Sequence, residues 1–353
     1  MEQNKIVMPI NVIYQEKITE NGIYKDWEGQ RKEAYFAYRR NWSEYPLHHF
    51  SGDFPLNLDI EPTNICNLRC PFCYRTIALE NNSEVFQKQG SMSLETFERI
   101  MKQIVKDGIC MVPAIKLTHR GEPLLNKHLP EMIRMAKETG AVDVMINTNG
   151  TILTEELALQ LLDAGLDKIL FSFDSPYPEK YKEIRIGAAY NDVLQNIKNF
   201  VKLRNEKKAC NTLVRVGMVI TEDILPGEKE DFYKLFENVA DVVSYNLVHK
   251  EIEVDRQGNY RGADGKRCHM SNRKFADSQL WQRMTINWDG EAEICCENYK
   301  QEWNLGNIHR ETVHEIWTGD KFEEVRRLHK KGEWWKIAQC RKCTIPHMDK
   351  ETL

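Results

Sequence analysis

The 353-residue sequence predicts an α/β protein, a partial (β/α)6 barrel followed by a small C-terminal α+β module. Three observations carry this expectation. Between residues 56 and 248, six short apolar runs alternate with helical patterns. After His249 the alternation gives way to the polar stretch EVDRQGNYRGADGKR and then to a hairpin pattern. Ten cysteines fall mainly into two sets, one just after the first apolar run and one in the C-terminal module.

The runs LNLDIE, AIKLTH, VDVMIN, KILFSFD, TLVRVGMVI and DVVSYNLV read as the barrel strands. Leu94, Phe97, Ile100, Met101 and Ile104 mark one face of the first helix between them. The next helix runs from Lys127 to Thr139 and is closed by Gly140; the one after is capped by Thr154 and ended by Gly165. Val193, Ile197, Phe200 and Val201, and then Phe232, Leu235 and Phe236, mark two more. Six strand-helix units imply a parallel sheet curled into a partial barrel, whose functional loops lie at the C-terminal ends of the strands. In the C-terminal module, RMTINW and EAEICC flank Asp289-Gly290, a pair suited to a type I′ turn. Amphipathic helices follow around Val313 to Trp317 and Phe322 to Leu328. The expected units are an aromatic-rich extension over residues 1–54 without a repeating strand and helix pattern, the barrel over 55–250 and the module over 251–353.

A net charge of -4 without a sustained basic stripe argues against nucleic acid as a partner. No apolar run reaches the roughly 20 residues that span a bilayer. The N-terminal sequence MEQNKIVMPINVIYQEK lacks the pattern of an export signal, so a cytoplasmic protein without a membrane partner is expected. Cysteines in such a chain are metal ligands or reactive thiols before they are disulfides.

Cys66, Cys70 and Cys73 form C-x3-C-x2-C directly after the first strand. A cubane is normally held by four thiolates, so three leave one iron open to an exogenous ligand. A zinc loop with a distant fourth ligand is the alternative. The segment CNLRCPFCYR, with Phe72 before the last cysteine, closely resembles the signature of the radical SAM superfamily. The resemblance implies a [4Fe-4S] cluster whose open iron is chelated by S-adenosylmethionine, reductive cleavage to a 5′-deoxyadenosyl radical, and a reducing flavodoxin or ferredoxin as partner.

Later motifs extend the resemblance. Arg120-Gly121-Glu122-Pro123 is similar to the family's GGEP motif, with arginine in place of the first glycine, and implies that Glu122 contacts the cosubstrate's amino group. Asn149, within NTNG, and Ser172 and Asp174, within SFDS, match segments that contact the ribose and the methionyl carboxylate. Arg185 resembles the family's carboxylate-binding arginine, Phe72 is placed to stack on the adenine, and Thr221 and Glu222 could approach it through backbone groups.

Cys268, Cys295, Cys340 and Cys343 make a second, four-thiolate set that includes a C-x2-C pair. These elements resemble the truncated SPASM (twitch) domain found after radical SAM barrels, which implies a second, auxiliary [4Fe-4S] cluster; a structural zinc is the alternative. Cys296 is a replacement ligand, a free thiol near the site, or a packed small residue. Cys110 and Cys210 are expected to be buried small hydrophobes.

The leading functional expectation is oxidation or epimerisation of a carbinol carbon in a small carbohydrate or aminocyclitol, with Cys296 as the catalytic hydrogen donor if the reaction is an epimerisation. Peptide maturation is the second expectation. A noncatalytic iron-sulfur electron carrier, from a different class, would have no use for Glu122, Asn149 or Ser172 at strand ends.

Overall fold

In the computed structural model, residues 14–19, 24–81, 86–207, 211–221, 223–247, 259–261, 267–269, 279–295 and 303–342 are described. In chain order the first elements are β1 (Tyr14–Ile18), α1 (Tyr24–Gly29), α2 (Glu33–His48), β2 (Asn57–Ile60), α3 (Tyr74–Glu80), α4 (Leu94–Gln103), β3 (Val105–Lys106), β4 (Ile109–Cys110) and β5 (Ala114–Leu117). The alternation continues through α5 (Leu129–Glu138), β6 (Asp143–Thr148), α6 (Glu155–Asp163), β7 (Lys168–Ser172), α7 (Pro178–Ile184), α8 (Tyr190–Glu206), β8 (Leu213–Ile220), α9 (Glu228–Phe236) and β9 (Val242–Leu247). The C-terminal elements are β10 (Asn259–Arg261), β11 (Arg267–His269), α10 (Gln279–Gln282), β12 (Arg283–Ile286), β13 (Glu291–Glu293), β14 (Asn304–Asn307), α11 (Val313–Thr318), α12 (Asp320–Lys330) and α13 (Ala338–Lys342).

The six expected strands are β2, β5, β6, β7, β8 and β9, and they pair in parallel in that order. Alternate residues divide their two faces. Leu58, Ile60, Ile115, Leu117, Val144, Ile146, Ile169, Phe171, Val214 and Val216 join the core with helix residues such as Phe97, Ile133, Leu161 and Phe200. The intervening residues face the inside of the barrel.

Both edges of this sheet are extended. On one side β1 pairs antiparallel with β9; on the other β12 pairs parallel with β2, and β13 and β14 continue antiparallel. The described part of residues 1–54, a segment read from sequence without a repeating pattern, thus supplies a strand and two helices. Tyr35, Tyr38 and Trp42 recur at helical spacing on α2 and pack with Trp27 against Leu56, Ala114, Leu213 and Val242, at or beside the N-terminal ends of the strands. Arg31 stacks over Trp27, 3.9 Å from the ring, and reaches Asp167 at 2.6 Å, closing the floor of the barrel.

Asp289-Gly290 differs from expectation. Gly290 has φ 85° whereas Asp289 is not left-handed, and Gly290 N–H donates to the Asn287 carbonyl at 2.9 Å. A type I′ turn needs positive φ at both central residues, so this hairpin instead has a type I turn followed by a left-handed glycine. Asp107 and Gly108, between β3 and β4, have φ 51° and 77° and do meet that requirement.

Candidate active site at the cysteine loop

The loop after β2 carries Cys66, Cys70 and Cys73, and none of the three is in a disulfide. Its conformation is fixed locally before any metal is considered. Asn64 accepts from Gly90 N–H and donates to the Lys88 carbonyl at 2.9 Å each, the Thr63 hydroxyl donates to Gly90 at 2.7 Å, and Cys73 N–H donates to the Cys70 carbonyl at 3.0 Å. Burial pushes the Cys66 thiol up, and pushes Cys70 up to about 11, with the neighbouring thiols adding to both. Such thiols become thiolates when cations face them. Arg185 Nη1 lies 3.8 Å from Cys70 Sγ, while Arg75 is buried and held by the Asn64 carbonyl at 2.7 Å, and its charge works against the burial of Cys66.

Thiols on one short loop, backed by two guanidiniums and without a carboxylate ligand, suit an anionic iron-sulfur cluster. Among the described residues, no three His, Cys, Asp or Glu side chains stand at the spacing of a single bound ion.

Glu122 caps the short turn Pro123–Leu125 and is buried. Its carboxylate accepts from Thr148 Oγ1 at 2.6 Å, Asn149 N–H at 2.7 Å and Leu124 N–H at 3.1 Å. Burial raises its pKa against these three bonds, and the three donors leave acceptor capacity on the carboxyl oxygens for an ammonium. Asn149, besides its backbone bond to Glu122, donates to Asn67 in the cysteine loop at 3.0 Å and accepts from Thr151. Its side chain thus ties the end of β6 to the cluster loop.

Asp174, in a left-handed conformation with φ 71°, accepts from Val219 N–H at 2.8 Å and forms a close ion pair with Arg185. This carboxylate is consumed in aiming Arg185, which also lies 5.9 Å from the Phe72 ring. Ser172 ends β7 opposite Gly217. Asn147 Oδ1, two residues before Asn149, is buried without a hydrogen-bond partner among the described residues, as expected of an atom awaiting a ligand or water. Thr221 is described, with its hydroxyl on Asp223, whereas Glu222 lies outside the described residues.

The sequence departs from GGEP at Arg120, and the geometry explains why this is tolerated. Arg120 forms a bidentate pair with Glu61, Nε to Oε1 at 2.8 Å and Nη2 to Oε2 at 2.6 Å. Gly121 is the residue that touches the loop. A Cβ there would lie 2.2 Å from the Thr63 carbonyl oxygen and 2.6 Å from that of Ile65, neither of which can move alone. Gly121→Ala should therefore destabilise the protein by about 1–3 kcal/mol and weaken cosubstrate binding, checked by urea unfolding and equilibrium dialysis; wild-type values in both would remove the close approach.

In the C-terminal module Cys295 and Cys340 are buried in the same core as Trp334 and Ile337. Gln339 Nε2, next to Cys340, donates to Cys295 Sγ at 3.2 Å, which brings the two cysteine segments together. Cys268 lies in β11 opposite Tyr260, and Cys343 and Cys296 lie outside the described residues, as does Cys210. Cys110 is half-buried, with its thiol on the Val112 carbonyl at 3.1 Å. Buried thiols facing N–H donors suit a cluster of iron and sulfide.

Sequence reading passed over Asn67 and Arg75, which lie inside the very motif it quoted, and Thr148, one residue before Asn149. It also missed Glu61, whose position directly before the cysteine loop was a usable signal for a charged partner of Arg120.

A family model described as the radical SAM superfamily matches residues 60–236, and one described as an iron-sulfur cluster-binding domain matches residues 278–344. A probable GTP 3′,8-cyclase of Methanococcus maripaludis (strain C5) is 35% identical over 138 residues, which cover 39% of this chain and 43% of that protein, less than half its length. The tungsten-containing aldehyde ferredoxin oxidoreductase cofactor-modifying protein of Pyrococcus furiosus is 22% identical over 82% of this chain and 87% of that protein. Among solved structures, anSMEcpe with bound AdoMet matches with a TM-score of 0.58 at 18% identity, covering 84% of this chain and 88% of that one. BtrN in complex with AdoMet and 2-DOIA matches with a TM-score of 0.50 at 19% identity, covering 83% and 96%. At these identities the structures speak to the fold. The superfamily match spans half of the sequence, over the same strands and cysteine loop whose geometry suits a three-thiolate cluster: this chain belongs to the radical SAM superfamily, uses [4Fe-4S] clusters and S-adenosylmethionine, and carries an iron-sulfur cluster-binding domain C-terminal to the radical SAM domain.

Proposed function

We propose that this radical SAM enzyme oxidises or epimerises a carbinol carbon of a carbohydrate or aminocyclitol, with residues 55–250 forming the reaction chamber and 251–353 the auxiliary-cluster unit. The observation that carries the reading is the polar inner face of the barrel. Asp59 pairs in register with Lys116 and Thr285, Leu170 with Asn147 and Arg215, and Gly217 with Ser172 and Ser244, so these polar residues share the face opposite the helices. Arg215 donates to Ser244 Oγ at 3.0 Å, and burial pulls its guanidinium down to about 9, still a cation at neutral pH. Asn147 Oδ1, Thr285 Oγ1 and Asn287 Oδ1 are buried acceptors with no partner among the described residues. Such a lining matches a hydroxyl-rich molecule better than an apolar one.

When bound, the cluster on Cys66, Cys70 and Cys73 supplies one electron, originating from reduced flavodoxin or ferredoxin, for cleavage of S-adenosylmethionine to methionine and the hydrogen-abstracting 5′-deoxyadenosyl radical. Glu122 accepts the cosubstrate's amino group, Arg185 as aimed by Asp174 faces its carboxylate, Asn149 and Ser172 stand at the ribose, and Phe72 stacks on the adenine. Cys268, Cys295, Cys340 and Cys343 would hold the auxiliary cluster, which in an oxidation would accept the second electron as the substrate radical loses a proton to leave the carbonyl. In an epimerisation, the Cys296 S–H bond breaks as its hydrogen passes to the opposite face of the carbon, and the thiyl radical left behind would regain a proton and one electron, the electron from the auxiliary cluster.

The test uses anaerobic, reduced enzyme with carbinol-deuterated aminocyclitols, a nucleoside triphosphate and a peptide panel. Deuterium should pass from a carbinol carbon into 5′-deoxyadenosine; transfer only from the nucleotide or a peptide overturns the substrate class. Solvent deuterium in the product, lost in Cys296→Ala, identifies epimerisation. A carbonyl product with Cys296→Ala fully active identifies oxidation and leaves Cys296 without that role.

A further inference from the structure

Two side-chain nitrogens approach the two thiols of the C-terminal unit whose side chains are described. His329 Nε2 lies 3.4 Å from Cys340 Sγ, and Gln339 Nε2 lies 3.2 Å from Cys295 Sγ. Cysteine spacing alone singles out neither residue. The local fold explains how they arrive there. His329 sits in the last turn of α12 on the face that buries Phe322 and Val325. Gly332 is left-handed, with φ 69°, and donates to the His329 carbonyl at 3.0 Å, while Glu333 N–H donates to Leu328 at 2.8 Å. The chain reverses there, and the turn Trp334–Lys336 leads into α13, which carries Cys340 back to His329. The Trp334 ring, 5.7 Å away, braces the imidazole.

We propose that His329, with its proton on Nε2, and Gln339 donate hydrogen bonds to the iron-bound thiolates of the auxiliary cluster and raise its reduction potential. This rests on the reading that Cys295 and Cys340 are ligands of that cluster. A thiolate bound to iron gains negative charge when the cluster is reduced, so an N–H aimed at the sulfur stabilises the reduced state more than the oxidised one. The surroundings act in the opposite sense. Cys295 is 5% exposed and Cys340 8%, amid Ile294, Ile337 and Trp334, and an apolar site disfavours added negative charge. The two donors offset that cost at the sulfurs themselves. Their separate positions, one at the end of α12 and one inside α13, make them independently testable.

The test is a redox titration followed by electron paramagnetic resonance on the full chain bearing Cys66→Ala, Cys70→Ala and Cys73→Ala, so that only the auxiliary cluster reports. His329→Phe and Gln339→Leu should each keep about four irons and lower the reduced-to-oxidised ratio at fixed poise by about tenfold, equivalent to about 59 mV for a one-electron couple. His329→Gln, which keeps an N–H within reach, should recover part of the His329→Phe shift. Unchanged potentials with iron intact overturn the proposal. So does loss of iron in His329→Phe, which would make the imidazole a ligand or a fold element. The ligand reading is tested apart from it: Cys295→Ala and Cys340→Ala should lose the auxiliary signal, and a fully retained signal in both contradicts that reading whatever the potentials show. Zinc in place of iron in the parent protein overturns both.

Discussion

Arg120→Met should cost about 3–5 kcal/mol of stability, because it leaves the Glu61 carboxylate buried without its cation. Glu61 is fully buried and accepts from Arg120 Nε, Nη2 and N–H and from Trp288 N–H, so strand β2, the loop after β5 and the β12–β13 hairpin all converge on one carboxylate. Arg120 Nη1 also stands 3.8 Å from Glu293, which in turn accepts from Asn287 at 2.5 Å and faces His119 at 3.7 Å. The guanidinium is therefore the hub between the barrel and the C-terminal hairpin. Replacing both members, as in Glu61→Leu with Arg120→Met, should recover most of the loss, since the charge left without a partner is then gone.

The pH dependence should change sign between the two proteins. In the wild type, burial alone would raise the Glu61 pKa, but Arg120 hydrogen bonding and charge carry it below the ordinary value of 4.5. A depressed folded pKa means a contribution present above that value and lost as pH falls through the folded pKa. In Arg120→Met the two strongest opposing influences vanish and burial dominates, so Glu61 titrates above its unfolded value. The variant should then gain stability as pH falls from neutrality, while the wild type should lose this contribution on acidification below about 4.5. Urea unfolding of anaerobic holoprotein across about pH 2.5 to 8 reads both slopes; parallel profiles would show that Glu61 does not depend on Arg120.

Local signals made much of this protein legible. Six apolar runs of strand length with helical patterns between them leave few arrangements other than parallel strands with crossovers. C-x3-C-x2-C placed after the first run pointed to the loop after β2, and Glu122 and Asn149 then fell at strand ends that do meet in space, joined at 2.7 Å. What stayed hidden depends on contacts remote in sequence. That β12 adds in parallel beside β2, and β1 antiparallel beside β9, is decided by which edges need covering, and no residue pattern near Arg283 or Tyr14 encodes its partner. Asp289-Gly290 and Asp107-Gly108 are the same dipeptide in different turns, because hairpin register and not the pair itself fixes the sign of φ at the aspartate. Arg120 looked like a defect in a glycine motif until Glu61 and Glu293 were seen around it. His329 has the form of an ordinary core histidine on an amphipathic helix, and its nearness to Cys340 arises only from the reversal at Gly332.

Iron content and S-adenosylmethionine cleavage in the variant Cys66→Ala, Cys70→Ala, Cys73→Ala should show the largest effect of any change to this protein. In the proposed assignment these three thiols leave an iron open for the cosubstrate, and the C-terminal set does not share the loop that holds them. Glu122, Asp174 and Arg185 do not depend on the cysteines for their own hydrogen bonds apart from the contact between Arg185 and Cys70, so the triple variant should remain folded. Anaerobically reconstituted wild type should bind about eight irons per chain and, once reduced, form 5′-deoxyadenosine and methionine. The triple variant should bind about four irons and form no 5′-deoxyadenosine. Retention of all the iron, or 5′-deoxyadenosine at the wild-type rate, would contradict the assignment of the catalytic cluster to Cys66, Cys70 and Cys73.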